Sequence, residues 1–293
     1  MTFLEAVARI EAATTYAELG DGGGDEAYRK LAKAVHPDTV TEAQSATATR
    51  VFAKLARLYE ERAVLVGDVA DLRPGEGGLV KVPRDPADND LMEAETAALK
   101  KLEINGDPKF RPYAPRLLKS YVHEDGQRRR RRVNVLEKLD GFVPLSKVRT
   151  KLDPRDAAWM WRRLLTGLGW AHRAGVVHGA VFEEHVLIHP EQHGVALVDW
   201  CYSGGRVSAV IKNRHYPPEV KRDRVVTPAT DIYLATSLMA RITDMPEPMR
   251  RFAGGCLYDA PRMRPQDAWS LLGELDDLLD NLYGPRTFRP FTL

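Results

Sequence analysis

The chain has 293 residues, of which 44% are hydrophobic and 29% charged, and its formal net charge is +2. These values are typical of a folded globular protein with one large domain or two ordinary ones, and they force no particular partner. The two cysteines are too few for a disulfide framework or a cysteine-rich zinc site. No apolar run approaches the ~20 residues that span a bilayer, and the N-terminus is unlike a secretory signal, so we expect a cytoplasmic protein.

The first sixty residues predict helices. Apolar residues recur at helical spacing in three segments, "FLEAVARIEAA", "DEAYRKLAKAV" and "TATRVFAKLARLYEERAVL". The glycine-rich stretch "LGDGGG" at residues 19–24 separates the first two, because consecutive glycines favour neither helix nor strand. Pro37 ends the second helix, since proline disfavours helical geometry in the residue before it.

The remaining elements indicate a mixed fold. From about residue 64 four short runs predict strands, "AVLVGDVADL", "GGLVKVP", "LLKSYV" and "RVNVLEKL", and "EDGQ" at residues 124–127 predicts a hairpin turn. One helix, "DNDLMEAETAALKKLE", interrupts them. Beyond Asp153 helices dominate, and the first of these has Asp153 as its cap, Pro154 as its first residue and Gly175 as its stop. The order of elements predicts the α+β class.

The tripeptide His-Pro-Asp lies in the loop between the second and third predicted helices. The helix before it, "AYRKLAKAVHPD", is basic beside its apolar stripe, and "FAKLARLYEE" follows. This context resembles the J-domain (DnaJ-like) family of co-chaperones, which dock on DnaK-type chaperones and stimulate ATP hydrolysis. The resemblance implies docking through complementary charges. It assigns this role to His36, Pro37, Asp38, Arg29, Lys30 and Lys33.

Two features leave that assignment open. The segment before the second helix is shortened to glycine-rich sequence, and the loop after the motif departs from the family's pattern. The alternative interpretation is a rigid turn in which Asp38 caps the segment that follows. In that case the first module is only a hairpin that braces the rest of the chain.

The segments "GGLVKVP", "LMEAETAALKKL", "VNVLEKLDGF", "LVDWC", "HYPPEV" and "PRMRPQDAWSLL" follow one another in this order along the chain. In their sequence and order they resemble the motifs of the protein kinase fold, and the resemblance covers residues 63 to 283. The resemblance implies a J-like helical domain at 1–62 and a kinase-like domain at 63–293. The latter divides into a β-rich small lobe at about 63–140, an α-rich large lobe at about 141–283 and a short tail at 284–293. The complete prediction is an α+β chain with an N-terminal helical hairpin followed by a bilobal kinase-like domain.

Within the small lobe the resemblance assigns a nucleotide site. Lys81 of "GGLVKVP" would pair with phosphates and with a helix glutamate, for which Glu95 fits best and Glu93 is the second choice. The hinge strand "VNVLEKLDGF" would contact adenine between Glu137 and Leu139. In "LVDWC", Asp199 would hold magnesium, so the implied cofactors are ATP and Mg²⁺. The alternative is a structural network of Lys81, Glu95 and Asp199 in a cleft that binds no nucleotide.

Two further motifs would brace the large lobe. "HYPPEV" supplies Glu219 and "PRMRPQDAWSLL" supplies Arg264, which in the family form a buried ion pair. Such a pair needs both partners, because one alone leaves an uncompensated buried charge. "TDIYLATSLM" places Asp231 in a large-lobe helix.

The loop that should carry the chemistry is degenerate. Phosphoryl transfer needs an acidic residue to orient the attacking hydroxyl, and held phosphates and metals. The family's His-Arg-Asp is here His178-Gly179-Ala180, so the base is replaced by alanine. Phe182 replaces the assisting lysine and His185 the second metal ligand. We therefore expect no efficient catalysis, because acid–base and electrostatic contributions are lost together.

The other residues with reactive or charged side chains do not define a second site. Glu183 and Glu184 in the same loop are either solvated charges or acidic substitutes for the base. His189 and His193 flank a turn without further metal ligands.

The five residues Arg128–Arg132 favour a solvated strand end over a nucleic-acid surface, since no aromatics are interleaved. Trp159, Trp161 and Trp170 on one helix indicate core packing. The tail, with Phe288 and Phe291, either fills a groove or is a partner motif.

The sequence thus predicts a J-domain co-chaperone fused to a pseudokinase that serves as a binding platform, and nucleotide would regulate it if the cleft binds ATP. Its expected partners are a DnaK-type chaperone and an unidentified protein at the kinase-like domain, with no membrane. The competing hypothesis is a divergent serine/threonine protein kinase that uses Glu183 or Glu184.

Overall fold

The structure is a computed structural model that describes residues 1–13, 16–19, 25–61, 65–75, 77–124, 128–148 and 150–292. It has a mixed α+β fold and divides into two compact units, Met1–Lys81 and Val82–Leu293. The domain boundary expected at residues 62 and 63 falls where residues 62–64 lie outside the described residues, so it stays a prediction. The two units are described separately below.

In its described residues the first unit contains three α-helices. They are α1 (Phe3–Ala12), α2 (Asp25–Val35) and α3 (Ser45–Glu61). A capping box at Thr2 and Glu5 begins α1. Since the apolar stripes of all three helices face one another, they share a single core. Its buried members are Ala6, Ile10, Ala13, Leu19, Leu31, Val35, Val51, Leu55 and Leu58.

The predicted break at residues 19–24 lies mostly outside the described residues; Leu19 ends a short 3₁₀ turn (Tyr16–Leu19). After α3 come two antiparallel strands, β1 (Leu65–Val66) and β2 (Ala70–Gly75), with Leu65 opposite Leu72. Strand β3 (Gly78–Pro83) follows and extends beyond the end of the unit. The strand predicted at "GGLVKVP" is therefore confirmed, while the run "AVLVGDVADL" contains two strands that are separated at residues 67–69.

The second unit opens with one helix and a hairpin. Helix α4 (Asn89–Asn105) precedes strands β4 (Leu117–Glu124) and β5 (Arg130–Leu136), which pair antiparallel with Tyr121 opposite Val133. The turn predicted at residues 124–127 falls largely on residues 125–127, which lie outside the described residues. A buried amide joins helix to hairpin: Asn134 Nδ2 donates to the Met92 carbonyl at 3.0 Å.

Helix α5 (Pro154–Arg173) begins where the sequence predicts, because the Asp153 carboxylate accepts the Arg155 backbone N–H at 2.7 Å. It ends two residues before Gly175, whose φ of +76° suits glycine. Three short strands form an antiparallel sheet, β6 (Val143–Pro144), β7 (Val186–His189) and β8 (Gly194–Leu197). Four helices complete the unit: α6 (Pro218–Asp223), α7 (Pro228–Ile242), α8 (Glu247–Cys256) and α9 (Ala268–Tyr283).

The core of the second unit surrounds α5. Trp161, Leu164, Leu165 and Leu168 of this helix are fully buried, and Trp170 is nearly so. The predicted core role of the tryptophans thus holds for Trp161 and Trp170. Trp159 is only partly buried, and it lines a cavity instead.

Two connecting segments carry the residues of the candidate functional site. One runs from the end of α5 to β7, at residues 176–185, and the other follows β8 at residues 198–203. In the part of the chain that the structure describes, none of the helices has the length and apolar character needed to cross a membrane.

Candidate functional site

The connection between α5 and β7 is held in shape by Asp231, a fully buried residue of α7. Its Oδ2 accepts the backbone N–H of His178 at 2.8 Å, and its Oδ1 accepts that of Gly179 at 2.8 Å. The same carboxylate lies 2.9 Å from Nε2 of His172. Three partners compensate the burial of this charge, so the loop geometry rests on Asp231.

His178 is a structural residue with a defined protonation state. Its Nε2 donates to the Val198 carbonyl at 3.0 Å, and its Nδ1 accepts the Ala180 backbone N–H at 3.2 Å. Burial lowers the pKa of His178 to about 4, against a smaller opposing effect of Asp231. The ring is therefore neutral at pH 7 and ties the loop to the segment before Asp199.

Gly179, Ala180 and Phe182 leave no room for the chemistry that the resemblance would require. Gly179 has φ +78°, and a Cβ placed there would lie 2.2 Å from the Tyr202 carbonyl oxygen. Ala180 and Phe182 are buried. The Phe182 ring meets the Tyr216 ring edge-on with centroids 5.0 Å apart, and the Arg214 guanidinium lies 5.7 Å from its centroid. The loop is thus closed by packing.

The two glutamates of this loop have arginine partners. Arg214 Nη1 lies 3.3 Å from Glu183 Oε1, and the same guanidinium forms an ion pair with Glu184. Arg241 forms a second ion pair with Glu183. Guanidinium groups therefore occupy the carboxylate oxygens of both residues. These pairs disfavour a role of Glu183 or Glu184 in accepting a proton from a hydroxyl.

His185 and Asp199 form the polar part of the site. His185 Nδ1 lies 2.8 Å from the Ala180 carbonyl, and because a carbonyl only accepts, Nδ1 carries the hydrogen. Nε2 then lies 3.3 Å from Asp199 Oδ2. This contact is attractive when the ring is protonated or when a cation lies beside both atoms. Asp199 itself has φ +62°, a left-handed conformation that a non-glycine residue adopts at a cost.

The atoms around Asp199 that could ligate a metal include oxygen, sulfur and nitrogen. Within the second unit, Glu95, Asp199 and Cys201 each offer one ligand atom, and these atoms lie within 4.8 Å of one another. Magnesium prefers oxygen ligands, so only the two carboxylates suit it. The thiol of Cys201 and the imidazole of His185 suit softer metals. The set therefore fits the predicted Mg²⁺ site at Asp199 only in part.

The structure separates the two candidate glutamates of α4. Glu95 is fully buried, and its Oε2 accepts a hydrogen bond from Asn134 Nδ2 at 3.0 Å. Glu93 is exposed and pairs with Arg132 at 3.0 Å. Only Glu95 points inward, as the first choice from the sequence requires. Lys81, which ends the first unit, is 2% exposed, and its pairing with Glu95 stays a prediction.

The predicted hinge residues form hydrogen bonds within the protein. The backbone N–H of Glu137 donates to the Arg116 carbonyl at 2.9 Å, and its Oε2 accepts the Arg116 N–H at 3.0 Å. The Leu139 carbonyl accepts the Phe142 N–H at 3.4 Å. Adenine recognition by this segment stays a prediction.

Glu219 and Arg264 are brought together as a buried bidentate pair. Arg264 Nη1 lies 2.6 Å from Glu219 Oε1, and Nη2 lies 3.1 Å from Oε2. The Thr230 hydroxyl also donates to Glu219 at 3.1 Å. Further donors of Arg264 reach the carbonyls of Tyr258 and Asp259. Each guanidinium nitrogen of Arg264 and each carboxylate oxygen of Glu219 thus has a partner, as a buried ion pair requires.

In the first unit the His-Pro-Asp segment forms a short 3₁₀ turn (Pro37–Thr39) between α2 and α3. His36 Nδ1 accepts the Asp38 backbone N–H at 3.3 Å, and its ring meets Phe52 of α3 edge-on at 5.1 Å. The Asp38 side chain is 86% exposed. The basic residues of α2 are exposed as well: Arg29, Lys30 and Lys33.

The sequence reasoning did not identify four residues that shape the site. Arg214, Arg241 and Tyr216 cover the loop, and Asn134 orients Glu95. No local pattern marks Arg214 or Arg241 among 43 lysines and arginines. Asn134 offered the one usable signal, because an amide inside the apolar strand "RVNVL" needs a buried partner.

The chain was compared with protein-family models and with curated proteins, and neither comparison found a match. The geometry above and the sequence resemblances therefore carry the functional argument alone.

Proposed function

We propose that this protein is a J-domain co-chaperone whose second unit is a catalytically impaired kinase-like domain that serves as a binding platform. The proposal includes the bilobal kinase-like architecture, the N-terminal J-like hairpin and the cytoplasmic location expected from the sequence. Its partners would be a DnaK-type chaperone at the first unit and an unidentified protein at the second.

Support for chaperone docking comes from the turn at His36–Asp38. His36 is fixed by its hydrogen bond and its ring contact, while the Asp38 carboxylate is exposed next to the exposed basic face of α2. A rigid turn that presents one negative charge beside several positive charges suits a charged partner surface. A hairpin that only braced the chain would not require this exposed charge pattern.

The observation that carries the pseudokinase proposal is the closed loop. Ala180 and Phe182 are buried, the Phe182 ring contacts Tyr216 and Arg214, and the two glutamates that follow are in ion pairs. A substrate hydroxyl would meet no free acidic group here, although phosphoryl transfer needs one to orient it. The loop is well formed without that chemistry, because Asp231 holds it.

The second candidate function is a divergent serine/threonine kinase. Two carboxylates, Glu95 and Asp199, remain within 4.8 Å of each other at a position that could hold a metal. This observation also supports nucleotide binding without turnover by Lys81, Glu95, Glu137, Leu139 and Asp199. The pairing of Glu183 and Glu184 with arginines favours the pseudokinase over the active kinase.

The docking proposal is tested with the full chain and a purified DnaK-type chaperone, by measuring ATP hydrolysis in single turnover. We expect stimulation by the wild type and its loss in Asp38→Asn and His36→Gln. The matched control is Glu42→Gln, which removes an exposed negative charge of the same unit outside the motif. Equal stimulation by Asp38→Asn and wild type would reduce the first unit to a bracing hairpin.

The platform proposal is tested by incubating pure protein with labelled ATP and magnesium. We expect no autophosphorylation and no turnover above that of Asp199→Ala. Turnover that disappears in Asp199→Ala would establish the kinase alternative instead. Binding is separated from turnover by a thermal shift at millimolar ATP, which Lys81→Ala should abolish if the cleft binds nucleotide.

A further inference from the structure

A cavity of about 410 Å³ lies between α5, α9 and the C-terminal tail (residues 284–292), entirely within the second unit. We call it the arginine pocket. Its lining includes none of the residues of the 176–185 loop, nor Asp199. Its volume falls in the range of small-molecule sites, which begins at roughly 300 Å³. The functions proposed above do not use this pocket.

The lining of the pocket is rich in arginine. Among the described residues it includes one carboxylate, Asp276, which two guanidinium groups share. Arg162 Nε lies 2.6 Å from Asp276 Oδ1, and Arg286 of the tail pairs with Oδ2. Arg162 Nη2 also lies 3.4 Å from Asp280 Oδ1, and Arg289 lies 3.5 Å from Asp153 and 3.6 Å from Asp156, so these three arginines have carboxylate partners. The lining arginines are Arg155, Arg162, Arg163, Arg286 and Arg289.

Arg155 and Arg163 are the arginines best placed for a ligand. Across the residues that the structure describes, neither guanidinium has a carboxylate within 4.0 Å. The Arg155 guanidinium lies over the Tyr283 ring at 4.8 Å, and Arg163 Nη1 donates to the Tyr113 hydroxyl at 3.4 Å. Their spacing of eight residues puts them two turns apart on one face of α5, at about 12 Å. Trp159 lies midway between them.

A stack of planar rings forms the apolar part of the pocket. The Trp159 and His193 rings are parallel within 7°, with centroids 4.2 Å apart, and Phe288 of the tail stacks on His193 at 4.4 Å. Burial lowers the pKa of His193, so at neutral pH this ring contributes a planar surface rather than a charge. Leu272 and Leu279 of α9 complete this wall.

We propose that the arginine pocket binds a small organic phosphate with an aromatic or apolar body. Guanidinium groups recognise phosphate through paired N–H donors, and a phosphate carries more charge than a single carboxylate. Arg155, Arg162 and Arg163 would contact the phosphate oxygens, while Trp159 and Phe288 would contact the body. Because the tail provides Phe288, binding would hold the tail against α5 and α9.

The test is calorimetric titration of the full chain, without magnesium, with 1-naphthyl phosphate as the probe. We expect saturable binding that weakens about tenfold or more in Arg155→Gln/Arg163→Gln, because each lost charge-assisted hydrogen bond weakens binding substantially. Phe288→Ala, at an exposed tail position, should weaken it several-fold. The matched control is Arg251→Gln on α8, an exposed arginine outside the pocket, which should bind as the wild type does.

Three probes and one variant determine which chemical groups the arginine pocket recognises. Inorganic phosphate should bind more weakly than 1-naphthyl phosphate, and 1-naphthoate should bind more weakly as well. Lys81→Ala should retain binding, because that residue belongs to the predicted nucleotide site. The proposal is overturned if 1-naphthyl phosphate does not bind at millimolar concentration, or if Arg155→Gln/Arg163→Gln binds it as tightly as the wild type does. It is also overturned if 1-naphthoate binds as tightly as 1-naphthyl phosphate, or if Lys81→Ala no longer binds the probe. Unfolding midpoints of all variants establish that they are folded.

Discussion

The Asp231 carboxylate accepts the backbone N–H of Gly179 at 2.8 Å, and this bond joins helix α7 to the loop before β7. The second oxygen of Asp231 holds His178 in the same way. Because this anchoring acts through backbone groups, it does not use the side chains that follow in the loop. Ala180 and Phe182 therefore occupy a well-formed loop.

The anchored conformation depends on glycine at position 179. We expect Gly179→Ala to lower the free energy of unfolding by about 2 kcal/mol or more, because a non-glycine residue is strained at positive φ. The added Cβ would also lie 2.2 Å from the Tyr202 carbonyl oxygen, which is backbone and cannot rotate away. Urea denaturation followed by circular dichroism measures the loss.

The matched control is Gly273→Ala in α9, where a Cβ would meet nothing within 4 Å. We expect this change to stabilise the protein by roughly 0.5–1 kcal/mol, since glycine disfavours helix interiors. Equal effects of the two substitutions would contradict the strained geometry at Gly179.

The Glu219–Arg264 pair predicts an asymmetric mutational result. Arg264→Met should destabilise the protein by about 3–5 kcal/mol, because it leaves the Glu219 carboxylate buried without its cation. Glu219→Gln/Arg264→Met should recover part of that loss, since the neutral amide still accepts from Thr230. Equilibrium unfolding of both variants gives the comparison. A double variant no more stable than Arg264→Met would show that packing, rather than charge burial, accounts for the loss.

The depressed pKa of His178 predicts an acid-sensitive fold. In the unfolded chain this residue titrates near 6.5, while burial lowers its pKa to about 4 in the folded state. Between these values the unfolded state binds the extra proton, so stability falls as pH drops from about 6.5 to 4. The contribution is about 3 kcal/mol in total.

Unfolding free energies measured between pH 7 and pH 4 test this prediction. His178→Gln should flatten that part of the pH dependence, although its stability at pH 7 will be lower. The control is His215→Gln at an exposed position, which should keep the wild-type slope. An unchanged slope in His178→Gln would assign the acid sensitivity to other groups.

Restoring the catalytic side chains should not restore catalysis. We expect Ala180→Asp/Phe182→Lys/His185→Asn to show no phosphoryl transfer above background and a lower unfolding midpoint. The new charges at positions 180 and 182 would be buried away from solvent, and the one at position 182 would also lie beside Tyr216 and Arg214. Labelled-ATP incorporation measures the first effect and thermal unfolding the second. Measurable transfer by this variant would mean that the loop is impaired only by those three residues.

Local chemistry made several features predictable. Asp153 and Pro154 marked the start of α5, because a capping carboxylate and a fixed φ act within one turn. Helical spacing indicated α1, α2 and α3, and the resemblance to the protein kinase fold implied the pairing of Glu219 with Arg264. The same resemblance marked Ala180 and His185 as positions where this sequence departs from the kinase motif.

By itself, then, the sequence determined where its helices and most strands lie, and its resemblance to the kinase motifs predicted which side chains of such a motif are absent. Only the tertiary structure decided how the loop is closed. Arg214 and Arg241 reach glutamates 30 and 58 residues away, and Trp159 lines the arginine pocket rather than the core. These contacts join distant segments through charged or amphipathic side chains that suit solvent and partners equally well, so no local pattern distinguishes them.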